Sequence, residues 1–450
     1  MYLDSKGLEI LSEALNRLST GFGNLPDFNS NYDYNTMRKV LFEVADKLTD
    51  NYPYFHPYYI GQMLKPPHPI AQLSYMLSLW INPNNHAIDG GRASSQMEKE
   101  AIAEIAKLFG WQTFLGHICS GGTIANLEAL WVAGKINPDK LVVASELAHY
   151  THNRISEILK LPFLSIPCNN LAQIDLDMLE KVLKTNKVGT VVATIGSTGT
   201  GSIDPLPEIL KLKDRYGFRV HVDAAYGGYF ILANNLSHSA RLAFDCMTQA
   251  DSIVVDPHKH GLQPYGCGCI LFKDQSVGRF YKHDSPYTYF SSKDLHLGEI
   301  SLECSRPGAS AVALWATQKL LPMVQGGEFA NNLSKSREAA RALFERLSTD
   351  MRFRPLIEPE LDIVTWVPRA ATISRISEIS QEIFKTSANY DLHLATFKYP
   401  TRLIQPVWED VQFDDDYVTC LRSCLMKPEH LAWLGRIWEI FDKAANEVMK

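Results

Sequence analysis

The chain has 450 residues, of which 46% are hydrophobic and 21% charged, and its formal net charge is −6. This length exceeds what one core usually covers, so we expect one large domain with smaller appendages. The sequence has no basic patch for nucleic acid, no apolar run of the roughly 20 residues that span a bilayer, and no signal peptide at its start. These features exclude a nucleic-acid-binding protein and a membrane protein.

The first 60 residues are rich in Asn, Tyr and Pro and predict helices and loops. Residues 61–80 predict a helix after a Pro-Pro pair, and residues 96–109 predict an amphipathic helix that Gly110 ends. From about residue 115, short apolar runs alternate with helical patterns, which predicts crossover units and a largely parallel sheet that is buried on both faces. The predicted strands are residues 141–144, 163–166, 188–195, 219–222, 252–255 and 268–272. The predicted helices of this region are residues 123–134, 151–159, 176–185 and 206–216.

Long helical patterns follow at residues 309–321 and 328–347, and a smaller region with both helices and strands reaches the end of the chain. We therefore predict three parts. They are an N-terminal helical segment (residues 1–60), a large ligand-binding α/β domain (residues 61–325) and a small C-terminal α+β domain (residues 326–450).

The eight cysteines form no Cys-x-x-Cys pair, and no histidines stand at ligand spacing beside them. This pattern predicts reduced, buried thiols in a cytoplasmic protein and no metal site. The cysteines are Cys119, Cys168, Cys246, Cys267, Cys269, Cys304, Cys420 and Cys424.

The first chemical motif is Asp256-Pro257-His258-Lys259-His260, which follows the predicted strand at 252–255. A lysine there lies at the carboxyl edge of a parallel sheet, where α/β proteins bind ligands. Its amine can form an imine with an aldehyde cofactor and later carry a proton. A surface lysine beside a turn is the alternative.

The second motif, His221-Val222-Asp223-Ala224-Ala225, places Asp223 at the end of another predicted strand. A carboxylate that faces a pyridine nitrogen keeps it protonated, and the protonated ring stabilises a carbanion. Small residues after it would let a flat ring approach the backbone. An aspartate that caps a helix, or is merely structural, is the alternative.

Three further segments complete the set of candidate chemical motifs. Gly122 and Thr123 open a predicted helix, whose N-terminus suits a phosphate, although ordinary helix capping gives the same pattern. His149 follows the predicted strand at 141–144 and could stack on a planar ring or be structural. Thr198 lies in a Gly/Ser/Thr loop after the strand at 188–195, where a hydroxyl could approach a cofactor or simply form a polar turn.

In this order and spacing, the motifs resemble the group II pyridoxal-phosphate-dependent amino acid decarboxylases, which act on aromatic amino acids, tyrosine, glutamate, cysteine sulfinate or aspartate. The resemblance covers roughly residues 50–320. It implies an α/β fold of the aspartate-aminotransferase-like type (fold type I) with a mostly parallel central sheet. It also implies a homodimer with both active sites at the interface.

The resemblance also implies a role for each motif residue. Lys259 is the Schiff-base lysine, and Asp223 binds the ring nitrogen of pyridoxal 5′-phosphate. Ala225 and His149 lie on opposite faces of the ring. The remaining contacts are Gly122, Thr123 and His258 to the phosphate and Thr198 near the ring hydroxyl.

The expected reaction is loss of CO2 from an L-amino acid, followed by return of a proton to the α-carbon. Relatives are thought to use a tyrosine on a mobile loop for that step, and Tyr287 is the candidate here, with Tyr289 second. Relatives with Phe at this position tend towards aldehyde-forming chemistry, so the tyrosines favour simple decarboxylation.

The substrate is less constrained than the reaction. Gln62 aligns with a family position that contacts substrate, and an amide can donate to a carboxylate or to a phenol. His86 is a second candidate for substrate binding and could contact either group as well. His86, His260 and Ile124 depart from common family residues and leave the substrate open. We expect an aromatic substrate such as tyrosine, with an acidic amino acid as the alternative. The alternative hypotheses for the function are a carbon–carbon lyase, an aldehyde synthase and a non-catalytic relative.

Overall fold

The computed structural model describes residues 4–23, 25–26, 31–282 and 300–450. The first 60 residues contain helices α1 (Ser5–Gly21) and α2 (Tyr34–Leu48). Each begins after an aspartate, Asp4 or Asp33, whose carboxylate accepts hydrogen bonds from backbone N–H groups of the first turn. None of the side chains of α2 is buried, so this helix stands out from the core.

A seven-stranded sheet forms the centre of the protein, in the order β1-β7-β6-β5-β4-β2-β3. Strand β7 is antiparallel to both of its neighbours, and the other pairings are parallel. The strands are β1 (Leu115–Cys119), β2 (Leu141–Ser145), β3 (Phe163–Ile166), β4 (Val188–Thr194), β5 (Arg219–Asp223), β6 (Ser252–Val255) and β7 (Gly268–Phe272). This sheet confirms the predicted, mostly parallel α/β architecture.

Helices cover both faces of this sheet. On β6, Val254 packs into one apolar cluster, whereas its neighbours Ile253 and Val255 pack into another on the opposite face. The continuous apolar runs of the sequence follow from this double burial, because neither face meets water. The helices are α3 (Pro69–Leu79), α4 (Arg92–Leu108), α5 (Gly122–Ile136), α6 (Thr151–Ile158), α7 (Leu176–Thr185), α8 (Leu206–Tyr216), α9 (His238–Asp245) and α10 (Gly308–Leu320).

A second, antiparallel sheet of four strands follows, in the order β10-β11-β9-β8. Three helices pack on it around Trp366, Ile383 and Phe441, and Ile60 from the N-terminal segment joins the same cluster. The elements are α11 (Glu328–Thr349), β8 (Phe353–Pro355), β9 (Ile363–Pro368), α12 (Ile373–Ala388), β10 (Ala395–Pro400), β11 (Tyr417–Cys424) and α13 (His430–Val448).

The elements differ from the sequence prediction in several places. Helix α3 begins at Pro69, whereas the predicted helix covered residues 61–80, and helix α9 was not predicted. Strand β1 was not predicted, and α4 begins at Arg92 rather than at residue 96. The division at residues 60 and 325 stays a prediction, although the two sheets lie on either side of the second boundary. Among the described residues, no helix has the length and apolar character needed to cross a membrane.

Candidate active site

Strands β4, β5 and β6 run parallel and end side by side, at Thr194, Asp223 and Val255. The loops that follow them, together with the start of α5, line a cavity of about 320 Å³. Parallel sheets bind ligands at this edge. All eight predicted cofactor contacts line the cavity: Gly122, Thr123, His149, Thr198, Asp223, Ala225, His258 and Lys259. We call this space the cofactor cavity.

Lys259 lies in the loop after β6. Its Nζ is 3.0 Å from Asp256 Oδ2, and its side chain is 20% exposed. Asp256 is buried, and its Oδ1 has no hydrogen-bond partner among the described residues. Lys259 is therefore an amine held over a cavity by a buried carboxylate, and not a surface lysine beside a turn. No sequence pattern predicted Asp256 as its partner.

Asp223 ends β5 with its carboxylate buried. Its Oδ2 accepts hydrogen bonds from His152 Nε2 at 2.8 Å and from Asn126 Nδ2 at 3.4 Å, and its Oδ1 accepts one from the Ala225 N–H at 3.1 Å. Burial alone would raise the pKa of Asp223, but the hydrogen bond from His152 and the nearby Lys259 together lower it well below its ordinary value. Asp223 is thus ionised, and it does not cap the next helical turn.

A network of hydrogen-bonded polar side chains supports the Asp223 carboxylate. Burial lowers the pKa of His221 to about 3, so this ring is neutral. Its Nε2 lies 2.8 Å from Asn126 Oδ1, and its Nδ1 lies 2.9 Å from Ser252 Oγ. With its oxygen turned to His221, Asn126 presents its amide N–H groups to Asp223 and to the Gly122 carbonyl. Sequence reasoning missed Asn126 and His152, whose partners are distant in the chain.

The turn before α5 is tightly constrained by its neighbours. Gly121 has φ +156°, which side-chain-bearing residues rarely adopt. A Cβ on Gly122 would lie 2.6 Å from Asp256 Oδ2, and one on Gly268 would lie 2.5 Å from the Gly121 backbone. No side chain caps α5, and its first turn lines the cavity at Gly122, Thr123 and Ile124. Such a helix start offers backbone N–H groups to an anion.

The other predicted contacts surround the same space. His149 Nδ1 lies 2.8 Å from Thr151 Oγ1, which fixes the ring orientation, and burial lowers the pKa of His149. Ala225 and Thr198 complete the wall. The arrangement therefore combines an amine, an ionised carboxylate, an aromatic ring and an anion-binding helix start in one cavity. This donor set matches an aldehyde cofactor that carries a ring nitrogen and a phosphate.

Two predicted residues among the described ones, Gln62 and His86, do not line the cofactor cavity. Gln62 is exposed, and its Oε1 lies 3.3 Å from Arg422 Nη1. The backbone N–H of His86 donates to Asn84 Oδ1 at 3.1 Å. Tyr287 lies outside the described residues. The roles predicted for these three residues stay predictions.

Comparison with known proteins gives a consistent result. A family model described as "Pyridoxal-dependent decarboxylase conserved domain" matches residues 35–367. An L-tyrosine decarboxylase of Enterococcus faecium is 27% identical over 487 aligned residues, covering 83% of this chain and 79% of the relative. A probable L-tyrosine/L-aspartate decarboxylase of Methanothermobacter thermautotrophicus is 31% identical over 313 residues, covering 68% and 82%.

Among solved structures, Oryza sativa TDC with PLP and tryptamine matches with a TM-score of 0.79 and 17% sequence identity. The match covers 99% of this chain and 97% of that chain. At this identity the likeness speaks for the fold alone, and it confirms the predicted fold type I architecture.

Proposed function

Because this chain belongs to the pyridoxal-dependent decarboxylase family, we propose that the cofactor cavity is its active site and that an aromatic L-amino acid such as tyrosine is its substrate. Family membership makes the chain a carboxy-lyase that depends on pyridoxal 5′-phosphate and releases CO2 from an L-amino acid. The convergence of Lys259, Asp223 and the start of α5 on one cavity is the observation that carries the assignment of the site.

We assign the cofactor contacts from the chemistry of each side chain. Lys259 would hold the cofactor through its Nζ, the amine that an aldehyde needs. Asp223 would hold the ring nitrogen in its protonated form, because its carboxylate is buried and ionised. His149 and Ala225, which line the cavity, would hold the ring from its two faces.

The phosphate is assigned to the start of α5. Gly122 and Thr123 offer backbone N–H groups there, and His258 lines the same end of the cavity. Gly121 and Gly268 support the assignment, because their lack of side chains lets the turn pack closely against β7. Thr198 is assigned to the ring hydroxyl.

The reaction needs a sink for the electron pair that remains when the carboxylate leaves, and pyridoxal phosphate supplies that sink when bound. The task of Asp223 is to hold a proton on the ring nitrogen, and His152 keeps Asp223 ionised for it. Lys259 Nζ can carry a proton once it is free. The proton that returns to the substrate α-carbon is assigned to Tyr287, with Tyr289 second, on the sequence alone.

The substrate assignment rests on Gln62 and His86 and on the relative named for tyrosine. An amide and an imidazole can both hydrogen-bond a phenol. An acidic substrate is the second candidate, and a specific contact favours it. The buried Arg422 lies beside Gln62, and a guanidinium is a strong partner for a side-chain carboxylate.

We also propose that the protein is a homodimer. Helix α2 exposes an apolar stripe at helical spacing, formed by Met37, Leu41, Val44 and Leu48, and none of its side chains is buried. A second copy of the chain is the simplest cover for such a stripe. Replacing Leu41 and Val44 with Asp should shift native mass spectra from dimer to monomer, and a dimer that survives this change would argue against the stripe as the interface.

A cytoplasmic location is proposed from the cysteines. All eight are free thiols, and six of them are buried. Proteins of reducing compartments keep their cysteines in this state.

One experiment tests the reaction and the substrate together. The purified protein is loaded with pyridoxal phosphate and incubated with L-amino acids, and every new product is identified by mass spectrometry. Tyramine supports the aromatic assignment, whereas β-alanine or 4-aminobutyrate supports the acidic one. The variant Lys259→Ala is the control for background chemistry.

Other products would overturn the assignment. An aldehyde from tyrosine, or cleavage of a carbon–carbon bond without release of CO2, would mean that the scaffold performs a different reaction. If the assignment to Tyr287 is right, Tyr287→Phe slows amine formation and increases aldehyde output. Unchanged product ratios would remove Tyr287 from the mechanism.

A further inference from the structure

A second cavity lies on the other side of the Lys259 segment. Its volume is about 270 Å³, and it lies between the N-terminal segment, α11 and the start of α13. Its lining includes Lys65, His260, Phe329, Lys427 and Trp433. We call it the lysine cavity. His260 is one of the residues that depart from the common family pattern, and the decarboxylation assigned above leaves it without a role.

The two lysines of this cavity have no carboxylate within 4 Å in the part of the chain that the structure describes. Lys427 is only 5% exposed, and its Nζ donates to the Tyr59 carbonyl at 2.8 Å. Lys65 Nζ donates to the Met426 carbonyl at 3.3 Å. Backbone carbonyls orient these ammonium groups. The carboxylates of Asp362 and Glu429 favour their charged forms from a distance, but neither forms an ion pair with them among the described residues.

Burial has a measurable consequence for both amines. It lowers the pKa of Lys65 to about 8 and that of Lys427 to about 7, and the nearby Lys65 lowers the pKa of Lys427 further. Glu328 and Glu429 also line the cavity, but neither carboxylate reaches a lysine ammonium within 4 Å. Two ammonium groups that repel each other in a poorly hydrated space favour the binding of an anion, because the anion offsets their repulsion.

The other residues that line the cavity indicate the chemistry of the rest of the ligand. Phe329, Leu333, Met426 and Trp433 give the cavity a mostly apolar surface away from the ammonium groups. We propose that the lysine cavity binds a small organic carboxylate with an apolar, ring-sized body, whose carboxylate lies between Lys65 and Lys427. This site is separate from the cofactor cavity, and the proposal does not depend on which amino acid is decarboxylated.

A ligand in this site would be coupled to the cofactor cavity through a short path. His260 Nε2 lies 3.2 Å from Asp362 Oδ2. Asp362 Oδ1 accepts a hydrogen bond of 2.7 Å from Tyr226, which lines the cofactor cavity. His260 is also joined to Lys259 by a peptide bond. A bound carboxylate would therefore change the field at a residue pair that contacts both sites.

The test uses the holoenzyme with pyridoxal phosphate fixed by borohydride reduction, so that the probe cannot enter in place of the cofactor. Titration calorimetry at about pH 6.5, where both lysines carry charge, measures binding of 3-phenylpropanoate. The neutral 3-phenylpropanamide is the matched probe without a charge. We expect one site for the carboxylate and at least about 10-fold weaker binding of the amide, because a charge-assisted contact is lost.

Substitutions of the two cavity lysines test where the carboxylate binds. Lys427→Met and Lys65→Met should each weaken the carboxylate at least about 10-fold, since each removes one ammonium and keeps the apolar stem. Lys443→Met, on the exposed side of α13, should bind like the wild type. Circular dichroism checks that each variant is folded.

Three outcomes would overturn the proposal. They are no binding at millimolar carboxylate, equal binding of the amide, and unchanged binding in both cavity variants. The first two need only the wild-type protein, so the proposal stays open to refutation if a variant fails to fold. None of these results bears on decarboxylation, which the product analysis tests separately.

Discussion

The cofactor cavity and the lysine cavity lie on either side of the Lys259–His260 peptide bond, yet their buried charged groups have different kinds of partner. In the cofactor cavity each charged group has a side-chain partner, a hydrogen bond from His152 for Asp223 and the carboxylate of Asp256 for Lys259. In the lysine cavity, the ammonium groups of Lys65 and Lys427 donate to carbonyl oxygens, and Lys427 also lies over the Tyr59 ring.

The difference has a chemical meaning. A buried carboxylate that accepts several hydrogen bonds, as Asp223 does, stays ionised, which suits a reaction that needs an ionised carboxylate at one position. An unpaired site changes its protonation state with pH and with its ligand, which suits recognition of a variable solute. The predictions below test this contrast, from the largest expected effect to the smallest.

Lys259→Ala removes the amine of the paired site. Because both covalent attachment and proton transfer are lost, we expect amine formation to fall by at least about 10³-fold. The absorbance band of the bound cofactor should shift to that of free aldehyde. Lys211→Ala, at an exposed lysine, is the matched control. A Lys259→Ala variant that keeps a tenth of wild-type activity would contradict the assignment.

Asp223→Asn keeps the shape of the site and removes its negative charge. We expect kcat to fall roughly 10²–10³-fold, because a preorganised electrostatic contact to the ring is lost. Substrate KM should change much less. The same substitution at the exposed Asp214 should leave both constants unchanged. An equal loss in both variants would show that the effect is not specific to the cavity.

His152→Phe tests whether pairing controls ionisation. Without the hydrogen bond from His152, burial dominates and the pKa of Asp223 rises towards the assay range. Activity requires the ionised form, so it should be lost as pH falls through the raised pKa, and the acid limb of kcat should move up by about one unit.

Asn153→Ala, on the exposed side of α6, is the control for this helix and should keep the wild-type profile. A His152→Phe variant with lower activity but an unchanged acid limb would mean that His152 has only a packing role.

Lys427→Met tests the unpaired site through stability. The pKa of Lys427 is about 7 in the folded protein, against an ordinary value of 10.5. Between about pH 7 and pH 8.5, the unfolded chain therefore keeps a proton that the folded chain loses, and the free energy of unfolding rises with pH. The wild type should gain about 1 kcal/mol per pH unit relative to Lys427→Met in urea unfolding. Parallel pH profiles would show that folding does not lower the pKa of Lys427.

Much of the cofactor cavity could be predicted from sequence, because its residues follow strands that are themselves easy to recognise. All residues of β4 are buried, and the sequence shows this as a segment of small and apolar residues with no charge. Asp223 is the last residue of β5, and Lys259 lies in the loop that follows β6. The sheet edge then follows from topology, since parallel strands end together.

The features that could not be predicted from sequence are contacts between residues that are distant in the chain. His152 and Asp223 meet across the sheet, and a second histidine one turn after His149 is the only local sign of that contact. Strand β1 was missed because Gly116 and His117 interrupt its apolar pattern, and His117 is buried only because Glu128 on α5 pairs with it. The lysine cavity joins Lys65 and Lys427 from opposite ends of the chain, which no local pattern records.

The reversed direction of β7 has a consequence for Lys259. Because β7 returns beside β6, the segment of residues 256–267 is a closed hairpin loop, and the His258 N–H donates to the Cys267 carbonyl at 3.1 Å across its base. A crossover connection would have tied Lys259 to a strand elsewhere in the sheet. Here both ends of the loop are anchored on one hydrogen-bonded pair of strands, so the position of Lys259 depends on this strand pair alone.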